Sequence, residues 1–308
     1  MSGTAEHGRP RIRGRDFLLP YSRGRMARTL VLSGFDPERA YAIALEVEQM
    51  VASTPTEELS TGELQALVDS VLARLESPAM VARFRGWRRL NELDRPLVLL
   101  LGGATGTGKS SLAAEVAYRL GISRITSTDT VRQVMRAFFA RELMPALHYS
   151  SFEAGEGLKM PMPDPDAGDR ALYGFIQQAE QVAVGANAVV ERAVLEGLST
   201  VVEGIHLVPG LVGGDHRDGA VVVQALLSIT DEDAHQAHFF ARDFDTGGLR
   251  AMERYLRRFG EIRRIQEYLV GRAEREGVPV IEAGDGERAL LGVMDLILAR
   301  AAATAAVP

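Results

Sequence analysis

Residues 96–111 constrain the fold more than any other stretch; they read Pro-Leu-Val-Leu-Leu-Leu-Gly-Gly-Ala-Thr-Gly-Thr-Gly-Lys-Ser-Ser. Leu97 to Leu101 predict a buried strand. Gly103, Gly108, Lys109 and Ser110 then fill the pattern G-x-x-x-x-G-K-S. Leu112, Val116 and Leu120 follow at helical spacing, with Gly121 placed to cap the helix. Strand, glycine loop and helix is the setting of a phosphate-binding P-loop. Glycines let backbone N–H groups turn inward around phosphate oxygens, and the helix N-terminus adds partial positive charge. Gly103, Ala104, Thr105, Gly106, Thr107, Gly108, Lys109, Ser110 and Ser111 are the expected nucleotide cradle. Within it Lys109 is expected on the β- and γ-phosphates and Ser110 on Mg²⁺.

Composition sharpens that reading. Of 35 basic residues only Lys109 and Lys159 are lysine. A chain that uses arginine wherever a cation faces water has kept a compact ammonium at the P-loop position, where the wider guanidinium does not fit the same space. At 308 residues the chain can hold one large domain and a smaller one. The absence of cysteine excludes disulfides, thiolate metal sites and a cysteine nucleophile. A net charge of −6 argues against nucleic acid as a partner. No apolar run approaches the ~18 residues of a membrane span, and residues 1–15 lack an apolar signal core. A cytoplasmic location without membrane attachment is the default expectation, and the oligomeric state is not encoded in any motif.

The first thirty residues carry seven arginines against Glu6 and Asp16. A solvated basic tail and a phosphate-contacting segment both fit. Asp36-Pro37-Glu38 opens a helix striped by Ala40, Ala44, Val47 and Val51, and Leu64, Leu67, Val68, Val71, Leu72 and Leu75 mark a second one. Residues 1–80 are expected as a small, mainly helical module, 81–95 as a linker and 96–308 as the main domain. In the main domain short apolar strands alternate with helices. The expected fold class is α/β, a P-loop NTPase-type parallel sheet with helices on both faces.

Phosphoryl transfer needs a carboxylate for the Mg²⁺ shell, a positioned acceptor and cations on the moving charge. Glu203 leaves a short apolar strand and is the first candidate for Mg²⁺ beside Ser110; Asp231, also at a strand end, is the rival. Asp129 is placed to take the acceptor hydroxyl's proton. Arg132 and Arg136 lie one helical turn apart and can face one anion with forked donors, although a solvated helix face has the same pattern. Val131, Val134, Met135 and Phe138 are expected on one apolar face of that helix. Arg242, Arg250, Arg254, Arg257 and Arg258 are candidates for a cation over the γ-phosphate, with Arg242 taken as catalytic. His235 and His238, near Asp231 and Glu232, have metal-ligand spacing, but nothing completes a site. His148 and His206 suit acceptor contacts or a role in loop and core, and Ser150 and Ser151 join His148 as the alternative place for an anion clamp.

Several segments together resemble one family, the 2-phosphoglycerate kinases. They are Gly102-Gly-Ala-Thr-Gly-Thr-Gly-Lys-Ser110, Ser127-Thr-Asp-Thr-Val-Arg132, Leu147-His-Tyr-Ser-Ser151 and Val202-Glu-Gly-Ile-His-Leu-Val-Pro-Gly210. Leu19–Leu30 and Ala40–Ala44 are similar to that family's N-terminal ATP-cone-like module. The resemblance implies ATP- and Mg²⁺-dependent phosphorylation of 2-phospho-D-glycerate at its free hydroxyl, giving 2,3-bisphosphoglycerate. It further implies a second nucleotide-binding or regulatory site in residues 1–80. A kinase for another phosphorylated hydroxy acid or a nucleoside, and an ATP-sensing regulator without an acceptor, are the competing readings; the arginine pair after Asp129 speaks for an enzyme.

Overall fold

The computed structural model describes residues 11–14, 18–91, 95–158, 167–214, 219–245 and 252–305. The chain divides into two compact units, Met1–Glu92 and Leu93–Pro308.

The first unit comprises β1 (Arg11–Arg13), β2 (Leu18–Pro20), α1 (Arg23–Leu32), α2 (Pro37–Ser53), β3 (Glu58–Ser60), α3 (Thr61–Leu75) and α4 (Pro78–Asn91). Asp36 starts α2 by accepting from the backbone N–H groups of Glu38 and Arg39 at 2.9 and 3.2 Å. Ser60 and Glu63 start α3 as a reciprocal capping box. The stripes on these two helices bury Ala40, Ala44, Val47, Val51, Val68, Val71 and Leu72 in one core. The strands are too short to show a period in the sequence. They form a sheet in the order β2-β1-β3, antiparallel on one side of β1 and parallel on the other. Ile12 alone of β1 turns into the core, leaving Arg11 and Arg13 exposed, with Arg13 paired to Glu58. α4 covers much of the stretch expected to connect the two parts, and its Val81 and Phe84 are buried in the same core, Phe84 edge-on to Phe35 at 6.4 Å.

In the second unit, β4 (Leu97–Gly103) is followed by α5 (Lys109–Leu120), β5 (Ile125–Ser127) and α6 (Thr128–Phe138). Two 3₁₀ turns, Pro145–His148 and Ser151–Gly157, lead to α7 (Ala167–Leu195). Then come β6 (Thr200–Glu203), β7 (Val221–Ser228), α8 (Glu232–Asp245), α9 (Met252–Arg257), α10 (Phe259–Glu276), β8 (Val280–Glu282) and α11 (Gly286–Ala305). The five strands make an all-parallel sheet in the order β5-β6-β4-β7-β8. Helices α5 and α11 lie on one face, α7 and α10 on the other. β4 sits centrally and is buried along its whole length, as the unbroken leucine run requires. The chain leaves β4 toward β5 on one side and later crosses to β7 on the other. The carboxyl end of β4 is therefore the switch point where open α/β sheets bind ligands.

Two local features shape that end. The second 3₁₀ turn lies directly on α7, because Gly155 and Gly174 cross with no side chain between them; a Cβ on Gly174 would stand 2.1 Å from the Gly155 nitrogen. On α6, Val131 and Met135 meet Gly185 of α7. Val134 and Phe138, expected on the same apolar face, are 54% and 81% exposed, so that face is covered only in part.

Candidate active site

The loop after β4 folds as its glycines allow. Gly106 has φ +90°, and a Cβ there would fall 2.6 Å from the Phe239 ring, so glycine is required twice over. Gly108, in the left-handed region, precedes α5, and no side chain among the described residues caps that helix. Its first N–H groups are thus free of a side-chain acceptor and carry the positive end of the helix dipole. Lys109 opens the helix, and its ammonium donates to the Ala104 carbonyl at 2.6 Å. Burial pushes its pKa below the ordinary lysine value, against the opposing pull of Glu203 and Asp129. Two carboxylates therefore sit within electrostatic reach of the P-loop ammonium.

Glu203 comes from β6, where sheet register sets it beside Leu101 of β4. It is a buried carboxylate, 6% exposed, and accepts from the Ser110 hydroxyl at 3.1 Å. A serine hydroxyl and a desolvated carboxylate are the hard oxygen donors that Mg²⁺ takes, with phosphate oxygens and water completing its octahedron. The two residues fit that ion. Asp231, the rival, is a helix cap: its carboxylate accepts from the Ala234 N–H at 2.7 Å. One ring nitrogen of each of His235 and His238 meets a P-loop carbonyl, Thr105 at 2.8 Å and Gly106 at 3.0 Å.

The residues expected to contact the acceptor lie on α6 and the 3₁₀ turns. Ser127 caps α6 by accepting from the N–H groups of Asp129 and Thr130. Asp129 then projects from the first turn with its side chain 66% exposed, in contact with Arg132 Nε at 3.3 Å. Arg132 is only 11% exposed. Its Nη1 donates to the carbonyls of Leu147 at 3.0 Å and Tyr149 at 2.9 Å, so it fastens the turn that carries His148, Ser150 and Ser151. Arg136 donates from Nη1 to Gln133, and its buried Nε has no hydrogen-bond partner among the described residues. His148 bonds the Phe139 carbonyl through Nε2 at 3.0 Å. Ser150 accepts from Arg254 at 2.9 Å, and Ser151 is buried.

His206 is placed inside the protein, fully buried, and does not line the site. Its Nδ1 accepts from the Thr128 hydroxyl at 2.9 Å, and its Nε2 donates to Gln178 Oε1 at 3.0 Å. Gln178 passes the chain on to the carbonyls of Ala146 and Tyr149. Burial drives the imidazole down to about 4, with Asp129 pulling upward and Arg132 and Lys109 downward, so the ring is neutral near pH 7. It ties the start of α6 to the turn and reaches an acceptor only through them. Among the lid candidates, Arg254 joins Glu153 and Ser150, Arg258 joins Glu156 and Glu261, and Arg257 lies near Glu253. The side chain of Arg242 and the whole of Arg250 lie outside the described residues. Sequence reasoning missed Thr128, Gln178 and the histidine contacts to the P-loop, whose partners are remote in sequence and carry no spacing signal.

No family model matches the chain. Curated relatives do. A 2-phosphoglycerate kinase from Methanopyrus kandleri is 39% identical over 277 residues, 90% of this chain and 83% of that one. One from Methanothermobacter thermautotrophicus is 39% identical over 88% of each chain. One from Thermococcus kodakarensis is 41% identical over 87% of this chain and 89% of that one. A solved gluconokinase from Sinorhizobium meliloti 1021 aligns at 15% identity with a TM-score of 0.32 over 68% of this chain and 94% of that one. With its P-loop, its Ser110–Glu203 contact and an identity near two in five that extends through both units, the chain belongs to the 2-phosphoglycerate kinase family.

Proposed function

We propose that the protein transfers the γ-phosphoryl group of ATP to the free hydroxyl of 2-phospho-D-glycerate, giving ADP and 2,3-bisphosphoglycerate. The observation that carries this reading is the Ser110–Glu203 contact at the mouth of the P-loop, within electrostatic reach of Lys109 and beside the α6 carboxylate Asp129. Backbone N–H groups from Gly103 to Ser111 cradle the phosphates of ATP, and Lys109 exchanges its carbonyl partner for phosphate oxygen, a stronger charge-assisted acceptor. Ser110 and Glu203 would hold Mg²⁺, which when bound supplies positive charge against the β- and γ-phosphate oxygens. Asp129 orients the acceptor hydroxyl and takes its proton as the new P–O bond forms and the bond to the β,γ-bridging oxygen breaks. Arg136, whose Nε has no partner among the described residues, and the turn fastened by Arg132 receive the phosphate and carboxylate of the acceptor. Arg254 reaches Ser150 on the far side of that turn and offers a further cation; Arg242 is retained as a candidate for charge on the γ-phosphate.

Residues 1–80 form most of a unit with its own core, and we infer an ATP-cone-like nucleotide or regulatory role for it, supported by its exposed arginines on β1 and α1. No helix among the described residues is long and apolar enough to cross a membrane, which suits a cytoplasmic enzyme of small phosphorylated metabolites.

The test is incubation with ATP, Mg²⁺ and a panel of phosphorylated hydroxy acids, followed by ³¹P NMR. The expected product from 2-phospho-D-glycerate has two phosphate resonances on one glycerate, formed in proportion to ADP. Lys109→Ala should lower turnover by about a hundredfold or more with the melting curve unchanged. Product from another acceptor alone would move the substrate assignment. ADP formation by Lys109→Ala within a few-fold of wild type would overturn the kinase mechanism.

A further inference from the structure

The contacts between α8 and the P-loop serve no structural need that simpler residues would not meet. His235 is completely buried, and its Nε2 donates to the Thr105 carbonyl at 2.8 Å. Its Nδ1 is then a buried acceptor with no partner among the described residues, which is destabilising by itself. Phe239, one turn along α8, stacks on His235 at 5.5 Å and on Tyr255 at 5.1 Å, and its ring fills the space where a side chain at residue 106 would stand. Phe259 meets His235 edge-on at 5.4 Å. A leucine at 235 would pack in this aromatic nest without an orphaned nitrogen. His238, half-buried on the next turn, donates from Nδ1 to the Gly106 carbonyl at 3.0 Å. Two successive carbonyls of one loop are thus held by two imidazoles from one helix.

A trans peptide points its C=O and its N–H in opposite directions. The Thr105 carbonyl belongs to the same peptide unit as the Gly106 N–H, and the Gly106 carbonyl to the same unit as the Thr107 N–H. Fixing both carbonyls toward α8 therefore turns both N–H groups away from it. We propose that His235 and His238 are positioning residues of the nucleotide site, which hold the Gly106 and Thr107 amides in the orientation that receives phosphate oxygen. The loop needs such holding. It has glycine at 103, 106 and 108, all with positive φ, and a free loop of that composition loses much conformational freedom when a ligand orders it. Preset amides meet the developing charge without reorganisation. Burial favours the neutral ring at His235, which donates from Nε2.

This inference rests on the P-loop binding MgATP, and direct binding separates the two. Calorimetric titration of the full chain with MgADP and with MgATP would compare His238→Leu with His238→Asn, and His235→Leu with His235→Gln. The Asn amide nitrogen stands where imidazole Nδ1 does, and the Gln amide nitrogen where Nε2 does, so each restores the donor without the ring. The leucine variants should bind nucleotide about tenfold more weakly, and the amide variants within about threefold of wild type, with the KM for the acceptor unmoved. Leucine variants that bind as wild type while giving a folded circular-dichroism spectrum would overturn the inference. Amide variants as weak as the leucine variants would overturn it as well, because ring packing rather than donation would then be at work. Should His235→Leu fail to fold, the His238 pair decides alone, since that side chain is half-buried. Failure of the wild-type chain to bind MgATP would sink the kinase reading along with it.

Discussion

Replacing Arg132 by Lys should raise the KM for the acceptor about tenfold or more and leave the KM for ATP within about twofold. The size follows from three contacts. Arg132 Nη1 donates to the carbonyls of Leu147 and Tyr149 at 3.0 and 2.9 Å, and Nε reaches Asp129 at 3.3 Å. Both carbonyl bonds come from Nη1, and a lysine side chain is one bond shorter than the path to that atom, so its ammonium stops near the Cζ position and cannot keep both. The Asp129 contact counts for little, since that carboxylate is 66% exposed and screened by solvent. The Tyr149 carbonyl keeps a second donor, Gln178 at 3.1 Å. One charge-assisted bond in a side chain only 11% exposed is the net loss, and such bonds contribute about 1.5–3 kcal/mol. Placed at the turn 147–151, that loss corresponds to about ten- to hundredfold in acceptor affinity. The assay is initial rates at saturating MgATP over a range of 2-phospho-D-glycerate, with ADP separated by anion exchange and thermal melts on the same preparation. A lowered melting temperature with an unchanged acceptor KM would refute the placement of the turn in the acceptor site. No change in either would refute the bond accounting itself.

Glu203→Gln and Ser110→Ala should each raise the Mg²⁺ concentration for half-maximal rate by about tenfold, because each removes one of two oxygen donors; an unchanged Mg²⁺ titration for both would place the ion elsewhere. His206 has a folded-state pKa near 4 against an ordinary 6.5, so the unfolded chain binds the extra proton between those values. Stability should therefore be complete above about pH 6.5 and fall by up to ~3 kcal/mol as the pH drops toward 4. Urea midpoints of wild type and His206→Gln should converge over that window, and parallel midpoints would refute the assignment. Deleting residues 1–92 should change the ATP concentration dependence or the response to other nucleotides without abolishing phosphoryl transfer, and identical kinetics would leave the first unit without a regulatory role.

The P-loop was legible because its determinants are local. A leucine run, glycines at fixed offsets and a helical stripe lie within residues 97–121, and they became β4, the loop and α5 with Gly121 in the left-handed cap. Asp36 and Ser60 are likewise local signals, since a cap satisfies N–H groups two or three residues away. Glu203 was readable as the last residue of a buried strand. What the sequence could not hold was the partner of each polar group. The Ser110–Glu203 contact spans 93 residues and exists because β6 pairs with β4 in one particular register. Arg132 and Arg136 share a helix face, as their spacing requires, yet only the turn 147–149 folded across α6 makes Arg132 a brace for carbonyls. His206 has apolar neighbours in the sequence and His235 has Asp233, Gln236 and His238, so nothing local marks both as buried. The fold buries both and must supply each with partners, because desolvated polar groups are costly when unpaired. Those partners, Thr128 and Gln178 for one and the Thr105 carbonyl for the other, are brought near by the layering of helices on the sheet. Local periodicity decides which residues face inward; only the crossing of distant segments decides what they meet there.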